Sequence, residues 1–137
     1  IPNINLEFEY AVQKVCLNAI KEGIINSAHD ISDGGLTTTI AESFVYSKNN
    51  LGVKLDLNRK SRNDELLFGE CQSSIVVSIP EDKLLNLINL AKEFDVPTQT
   101  IGKVTKENII EINDLISLDK EEVKDAYFNS FESIMKQ

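Results

Sequence analysis

Hydrophobic residues in this chain switch repeatedly between helical and extended spacing, and that switching limits the fold to helices alternating with short strands. Phe8, Ala11, Val12, Val15, Cys16, Ala19 and Ile20 share one helical stripe between Phe8 and Glu22, and Gly23 supplies a stop. Ile24 to Ile31 reads as a short buried strand. The turn Ser32-Asp33-Gly34-Gly35 leads into a helix whose apolar face is Leu36, Ile40, Phe44 and Val45 and which Asn49-Asn50 ends. Val53, Leu55 and Leu57 alternate with Lys54 and Asp56 as a half-buried strand, and Arg59 to Glu65 reads as a charged loop. Ser74 to Ile79 is a further strand. Pro80 suits the first turn of a helix carrying Leu84, Leu87, Ile88, Ala91 and Phe94. Thr98 to Val104 and Asn108 to Ile112 are strands. Asp119 with Glu122 forms a capping-box pattern ahead of a helix striped by Val123, Tyr127, Phe131 and Ile134. The expected fold is α/β (α+β), a mixed sheet covered by helices, in a single domain over residues 1–137.

Charge narrows the partners. Fourteen basic against 22 acidic residues leave a net charge of −8, so nucleic acid and anionic membrane surfaces would be repelled. No apolar run approaches the roughly 18 residues of a spanning helix. Cys16 and Cys71 are too few for a disulfide framework, and a reducing, cytoplasmic setting is expected. The chain opens Ile1-Pro2-Asn3 and its one methionine is Met135, so a piece cut from a longer protein is expected.

The densest chemistry lies in Ala28-His29-Asp30-Ile31-Ser32-Asp33-Gly34-Gly35-Leu36, a strand running through a glycine turn into a helix start. The first N–H groups of a helix lack intrahelical partners and carry partial positive charge. Glycines remove the Cβ atoms that would hold a phosphate away from them. Asp30 and Asp33 would repel a bare phosphate, whereas a divalent cation reconciles the two, because Mg²⁺ is commonly held by one or two carboxylates plus substrate phosphates. The same residues also read as an N-cap, with Asp33 in that role, followed by a plain Gly-Gly turn. His29, the sole histidine, excludes a multi-histidine zinc site.

A second block, Phe68-Gly69-Glu70-Cys71-Gln72-Ser73-Ser74, feeds a polar turn into an apolar strand. Glu70, Gln72 and Ser73 bring a carboxylate, an amide and a hydroxyl to the mouth of a sheet, as a ligand-reading edge or as a solvated loop. No cation near Cys71 in sequence lowers its pKa, so it is not expected to act as a nucleophile. Arg59, Lys60 and Arg62 form the one basic cluster, readable as a steering patch for polyphosphate or as a solvated loop.

The block His29 to Leu36, followed by Ala41-Glu42 and by Leu67 to Ser73, closely resembles the phosphoribosylformylglycinamidine synthase family, in the last domain of its synthetase portion. The resemblance covers essentially the whole chain, including Val96-Pro97 and Ile101-Gly102. It implies an AIR synthetase C-terminal-domain-like fold. It further implies an ATP-dependent, amidine-forming ligase of purine biosynthesis, fed with ammonia from glutamine by a glutaminase domain or subunit and acting on formylglycinamide ribonucleotide.

Carried over residue by residue, the resemblance makes Asp30 a Mg²⁺ ligand and Ser32 a nucleotide contact; Asp33, Gly34 and Gly35 are expected at the phosphates from the glycine turn and helix start themselves. Glu70, Gln72 and Ser73 would occupy the pseudo-symmetric counterpart of a substrate-contacting turn. Two departures stand out, Cys71 where the family usually has Ser and Ser74 where it has Arg. The family's catalytic histidine and most of its ATP ligands lie in domains absent from this chain, so the isolated chain is expected to be inactive. The alternatives are a non-catalytic module that binds a nucleotide or a protein partner, and a sister ATP-dependent ligase or kinase of the same superfamily.

Overall fold

The computed structural model describes residues 4–47, 50–58 and 62–136. The expectations for Ile1-Pro2-Asn3, Asn49, Arg59 and Lys60 therefore lie outside the described residues. In chain order the elements are α1 (Leu6–Lys21), β1 (Ser27–Asp30), α2 (Gly35–Tyr46), β2 (Gly52–Leu55), α3 (Asn63–Phe68), β3 (Ile75–Ser78), a 3₁₀ turn at Glu81–Lys83, α4 (Leu84–Glu93), β4 (Gly102–Thr105), β5 (Ile109–Ile112), β6 (Ile116–Asp119) and α5 (Lys120–Met135). They gather into two compact units. Unit 1 holds the residues before Ile40 and Leu67–Thr100, and unit 2 holds Ile40–Leu66 and the residues from Ile101 onward.

In unit 1, α1 starts where the Asn5 side chain accepts the Phe8 N–H at 3.1 Å, with Glu7 and Glu9 favourably placed in its first turn. Its inner stripe is Val12, Val15 and Ala19. Val15 and Ala19 pack with Ile24 and with Leu87, Leu90 and Ala91 of α4 into one cluster. Ala19 and Ala91 are fully buried, and such small side chains let α1 and α4 approach closely. Ile20, expected on the buried stripe, is 54% exposed. β1 and β3 form an antiparallel two-stranded sheet in which Asp30 pairs with Ile75 and Ser27 with Ser78.

Unit 2 contains a four-stranded mixed sheet of order β4-β2-β5-β6. β2 runs antiparallel to β4 and parallel to β5, and β5 runs antiparallel to β6. Burial alternates along β5, with Ile110 and Ile112 inside and Ile109 and Glu111 on the other face. There Glu111 meets its parallel partner Lys54 in a 2.7 Å ion pair. Asn113, in the left-handed region at φ 50°, accepts the Leu57 N–H at 2.7 Å and donates to the Leu57 carbonyl at 3.3 Å. The predicted capping box is present. Asp119 accepts the Glu121 and Glu122 N–H groups at 2.8 and 3.0 Å, and Glu122 accepts the Asp119 N–H at 3.1 Å. Lys120 is buried, and its ammonium donates to the Ser47 carbonyl at 2.8 Å and sits 5.3 Å from the Phe44 ring centre.

The α/β class with a mixed sheet holds, and four differences refine it. The strands divide into two sheets rather than one. α3 begins inside the stretch read as a charged loop; its Asp64 and Glu65 suit a helix start, and its Leu67, beyond that stretch, is buried. β6 was not anticipated, because in Ile116-Ser117-Leu118-Asp119 only Ile116 is even half-buried. Finally, of the expected α5 stripe only Val123 is buried.

Candidate functional site

The two polar blocks meet in unit 1 because of how β1 and β3 pair. Antiparallel pairing sets the exit of β1 beside the entrance of β3, and the ladder is extended past Asp30 by the Ile31 N–H donating to the Ser74 carbonyl at 2.9 Å. Beyond that bond the chain turns at Ser32–Gly34, closed by the Gly35 N–H donating to the Ser32 carbonyl at 3.0 Å. Gly34 and Gly35 have φ of 81° and 70°, a region L-residues avoid. A Cβ on Gly35 would lie 2.6 Å from the Phe68 carbonyl carbon and 2.8 Å from the Gly69 oxygen. One on Gly34 would collide with the Thr38 hydroxyl oxygen. The spaces cleared by the missing side chains are thus filled by protein: Gly35 seats the first block on the second, and Gly34 makes room for Thr38.

Threonines finish the junction. The Thr38 hydroxyl donates to the Gly34 carbonyl at 2.9 Å, and that of buried Thr39 is shared between the Gly35 carbonyl at 3.1 Å and the Asp30 carbonyl at 3.2 Å. These bonds tie the strand end to the helix start. The run of threonines after Gly-Gly was the sequence signal for them, since Thr in a first turn bonds back to nearby carbonyls.

Most of the residues expected at the site lie on the exposed rim. The Asp30 side chain is 73% exposed. His29 Nδ1 donates to the Asp30 carbonyl at 2.8 Å and lies 3.6 Å from its carboxylate. Ser32 and Asp33 are exposed, as are Glu70 and Gln72 of the second block. Ser73 differs: it adopts φ 56° and donates its hydroxyl to Glu9 of α1 at 2.6 Å. Gln13 donates to the other Glu9 oxygen at 2.6 Å. These bonds, that from Ser73 first, hold the Glu9 carboxyl below its ordinary range. Sequence reasoning missed Glu9, because nothing local links α1 to a turn 64 residues on. The two departures from the family pattern touch each other, with the Ser74 hydroxyl 3.3 Å from the Cys71 sulfur.

Among the described residues no group of three or more His, Cys, Asp or Glu could hold a metal ion by itself. Asp30 offers one exposed carboxylate, which fits a Mg²⁺ ion that takes its remaining oxygens from phosphate, water or another domain. Of the basic cluster, Arg62 is described and pairs with Asp64 at 2.6 Å, so its charge is locally neutralised. A groove of about 350 Å³ in unit 2, lined by residues including Lys54, Glu111, Asn113 and Ser117, contains none of the expected site residues. No helix among the described residues is long and apolar enough to cross a membrane.

Comparison with known proteins gives consistent matches. The family described as AIR synthase related protein, C-terminal domain, matches residues 4–114. The phosphoribosylformylglycinamidine synthase subunit PurL of Caldanaerobacter subterraneus subsp. tengcongensis is 38% identical over 113 residues, which is 82% of this chain and 15% of that protein. PurL of Salinibacter ruber is 41% identical over 105 residues, 76% of this chain and 14% of that protein. The chain thus spans about 15% of the length of these relatives. Among solved structures, PurLQS from Thermotoga maritima superposes with a TM-score of 0.77 at 19% identity, covering 90% of this chain and 22% of that one. T. maritima PurL complexed with ATP superposes at 0.69 and 16% identity, over 83% of this chain and 21% of that one. At such identities the structures establish a shared fold.

Proposed function

This chain belongs to the family of AIR synthase related proteins, C-terminal domain, and from that we propose that it serves as one domain of a phosphoribosylformylglycinamidine synthase. The whole enzyme would be a cytoplasmic ATP-dependent ligase that converts formylglycinamide ribonucleotide to its amidine, using ammonia released from glutamine by a glutaminase domain or subunit. The relatives carry that enzyme's name, and the solved structures that share this fold include T. maritima PurL complexed with FGAR and with ATP.

The observation that carries the reading is the seating of Gly35 on Phe68–Gly69, which joins two separate polar blocks into one edge. Along that edge Asp30 would supply one hard oxygen to Mg²⁺, with further oxygens coming from outside this chain. Ser32 would contact the nucleotide, and Asp33 and Gly34 would line the phosphates. Gly35 has its N–H committed to the turn and would act by holding the edge in place. Glu70 and Gln72 would face the same ligand, whereas Ser73 is turned to Glu9.

The test uses the full-length synthetase that contains this sequence. Asp30→Asn should lower the Mg²⁺-dependent retention of nucleotide through purification, while Glu81→Gln in the same protein should not. Unchanged nucleotide content in Asp30→Asn would remove the proposed metal role. Turnover of formylglycinamide ribonucleotide by the unmodified enzyme separates this reading from a sister ligase.

A further inference from the structure

Ser73 is held at φ 56°, a backbone conformation that a residue with a Cβ rarely keeps unaided. Such outliers persist where the surroundings over-determine them, and they gather at sites that hold a ligand. Gln72 and Ser73 form the bend of the second polar block. On one side lies Gly69, whose carbonyl rests against Gly35, and on the other Ile75, which pairs with Asp30. The Ser74 hydroxyl bonds to the Cys71 sulfur at 3.3 Å and to the Gln72 carbonyl at 3.4 Å, and both contacts stay within the bend. They would survive if the bend moved as a whole. The bond from Ser73 to Glu9 is of another kind, because it fastens the bend to a helix.

Glu9 is equipped for that task. The Ser73 hydroxyl donates to one of its oxygens at 2.6 Å, and the Gln13 amide, one helical turn on, donates to the other at 2.6 Å. With both oxygens bound, the carboxylate is fixed in orientation, and hydrogen bonds to an ionised acceptor are the stronger class. The same donors hold the carboxyl below its ordinary range, so it accepts as a carboxylate at neutral pH. α1 gives it a firm base, since Asn5 caps the helix and Val12, Val15 and Ala19 bury its inner stripe. Ser73 in turn orients its neighbour. One planar peptide unit joins it to Gln72, so turning Ser73 toward α1 sets the direction in which Gln72 leaves the chain. Gln72 and Glu70 are both exposed.

We infer that Glu9, braced by Gln13, is a positioning residue: through Ser73 it holds the Cys71–Ser74 bend so that Gln72 and Glu70 face the ligand of the Asp30 edge. That ligand is Mg²⁺-bound ATP if the function proposed above holds, and this role for Glu9 rests on it. Released from Glu9, Ser73 would leave the left-handed region. Affinity would then fall with the fraction of molecules whose bend is still set.

Equilibrium binding of Mg²⁺–ATP to the full-length synthetase that contains this sequence tests the role. Glu9→Ala and Ser73→Ala should each raise the Kd about tenfold, as expected when about a tenth of the molecules keep the bend set. The two together should be no worse than either, because they break one bond. In a Glu70→Ala, Gln72→Ala background, Glu9→Ala should add less than about twofold, which a general loss of stability would not reproduce. Glu7→Ala, which takes the same charge from the same turn of α1, should bind like the parent. Parental affinity in Glu9→Ala beside weakened binding in Asp30→Asn would overturn the role of Glu9 and leave the Asp30 edge standing. So would an equal loss in Glu7→Ala, or an undiminished loss from Glu9→Ala in the doubly substituted background. Parental affinity in Asp30→Asn would remove the edge itself, and the role of Glu9 with it.

Discussion

Gly34 and Gly35 show how two identical residues serve different ends. Both have positive φ, but the atoms facing Gly35 are backbone at Phe68 and Gly69, which cannot move without shifting the second block, whereas those facing Gly34 all belong to one side chain, that of Thr38. Gly35→Ala should therefore lose about 2 kcal/mol or more of stability and Gly34→Ala about 1 kcal/mol, the conformational penalty alone being about 1–2 kcal/mol. Urea unfolding of the two variants checks the order. Glu9 offers a second residue-level test. Its carboxyl lies below the ordinary 4.5 because Ser73 and then Gln13 donate to the charged form. A depressed folded pKa gives stability that is present above the unfolded value and lost as pH falls through the folded one. Ser73→Ala should raise the Glu9 pKa toward 4.5 in a carboxyl ¹³C NMR titration, and should flatten the acid-induced loss of stability.

Elements differ in how much of their placement is local. The Asp119–Glu122 box is a short-range code, readable in four residues and present in the structure. Asp119→Ala removes the acceptor for two N–H groups at the start of α5 and should cost about 1 kcal/mol, measured by thermal or urea unfolding. α1, Ile20 excepted, and α4 bury their stripes, because each finds the other to pack against. α5 has as clear a stripe and buries only its first turn, with Lys120 and Val123 inside and the aromatic residues outside. Periodicity announced the helix; it carried no information about what lies opposite. α3 was hidden for a different reason, since a six-residue helix is too short to display a period and its acidic residues resemble a loop.

At the scale of the molecule, the chain forms two compact units and spans about 15% of the length of its named relatives. If the synthetase needs ligands from its other domains, the isolated chain should form no amidine from formylglycinamide ribonucleotide, ATP and ammonia. Turnover above buffer would refute that division of labour. Sequence alone determined the family and the two polar blocks, because both are written in contiguous residues whose identities survive without any fold. It also determined most helices and strands, since spacing and caps act over a few residues. Tertiary structure decided that Gly35 rests on Phe68–Gly69, that Ser73 turns to Glu9, and that Phe131 is left out of the chain's own core. Those outcomes depend on which distant segments pack together, and burial is a property of the pair of surfaces rather than of either strand of sequence.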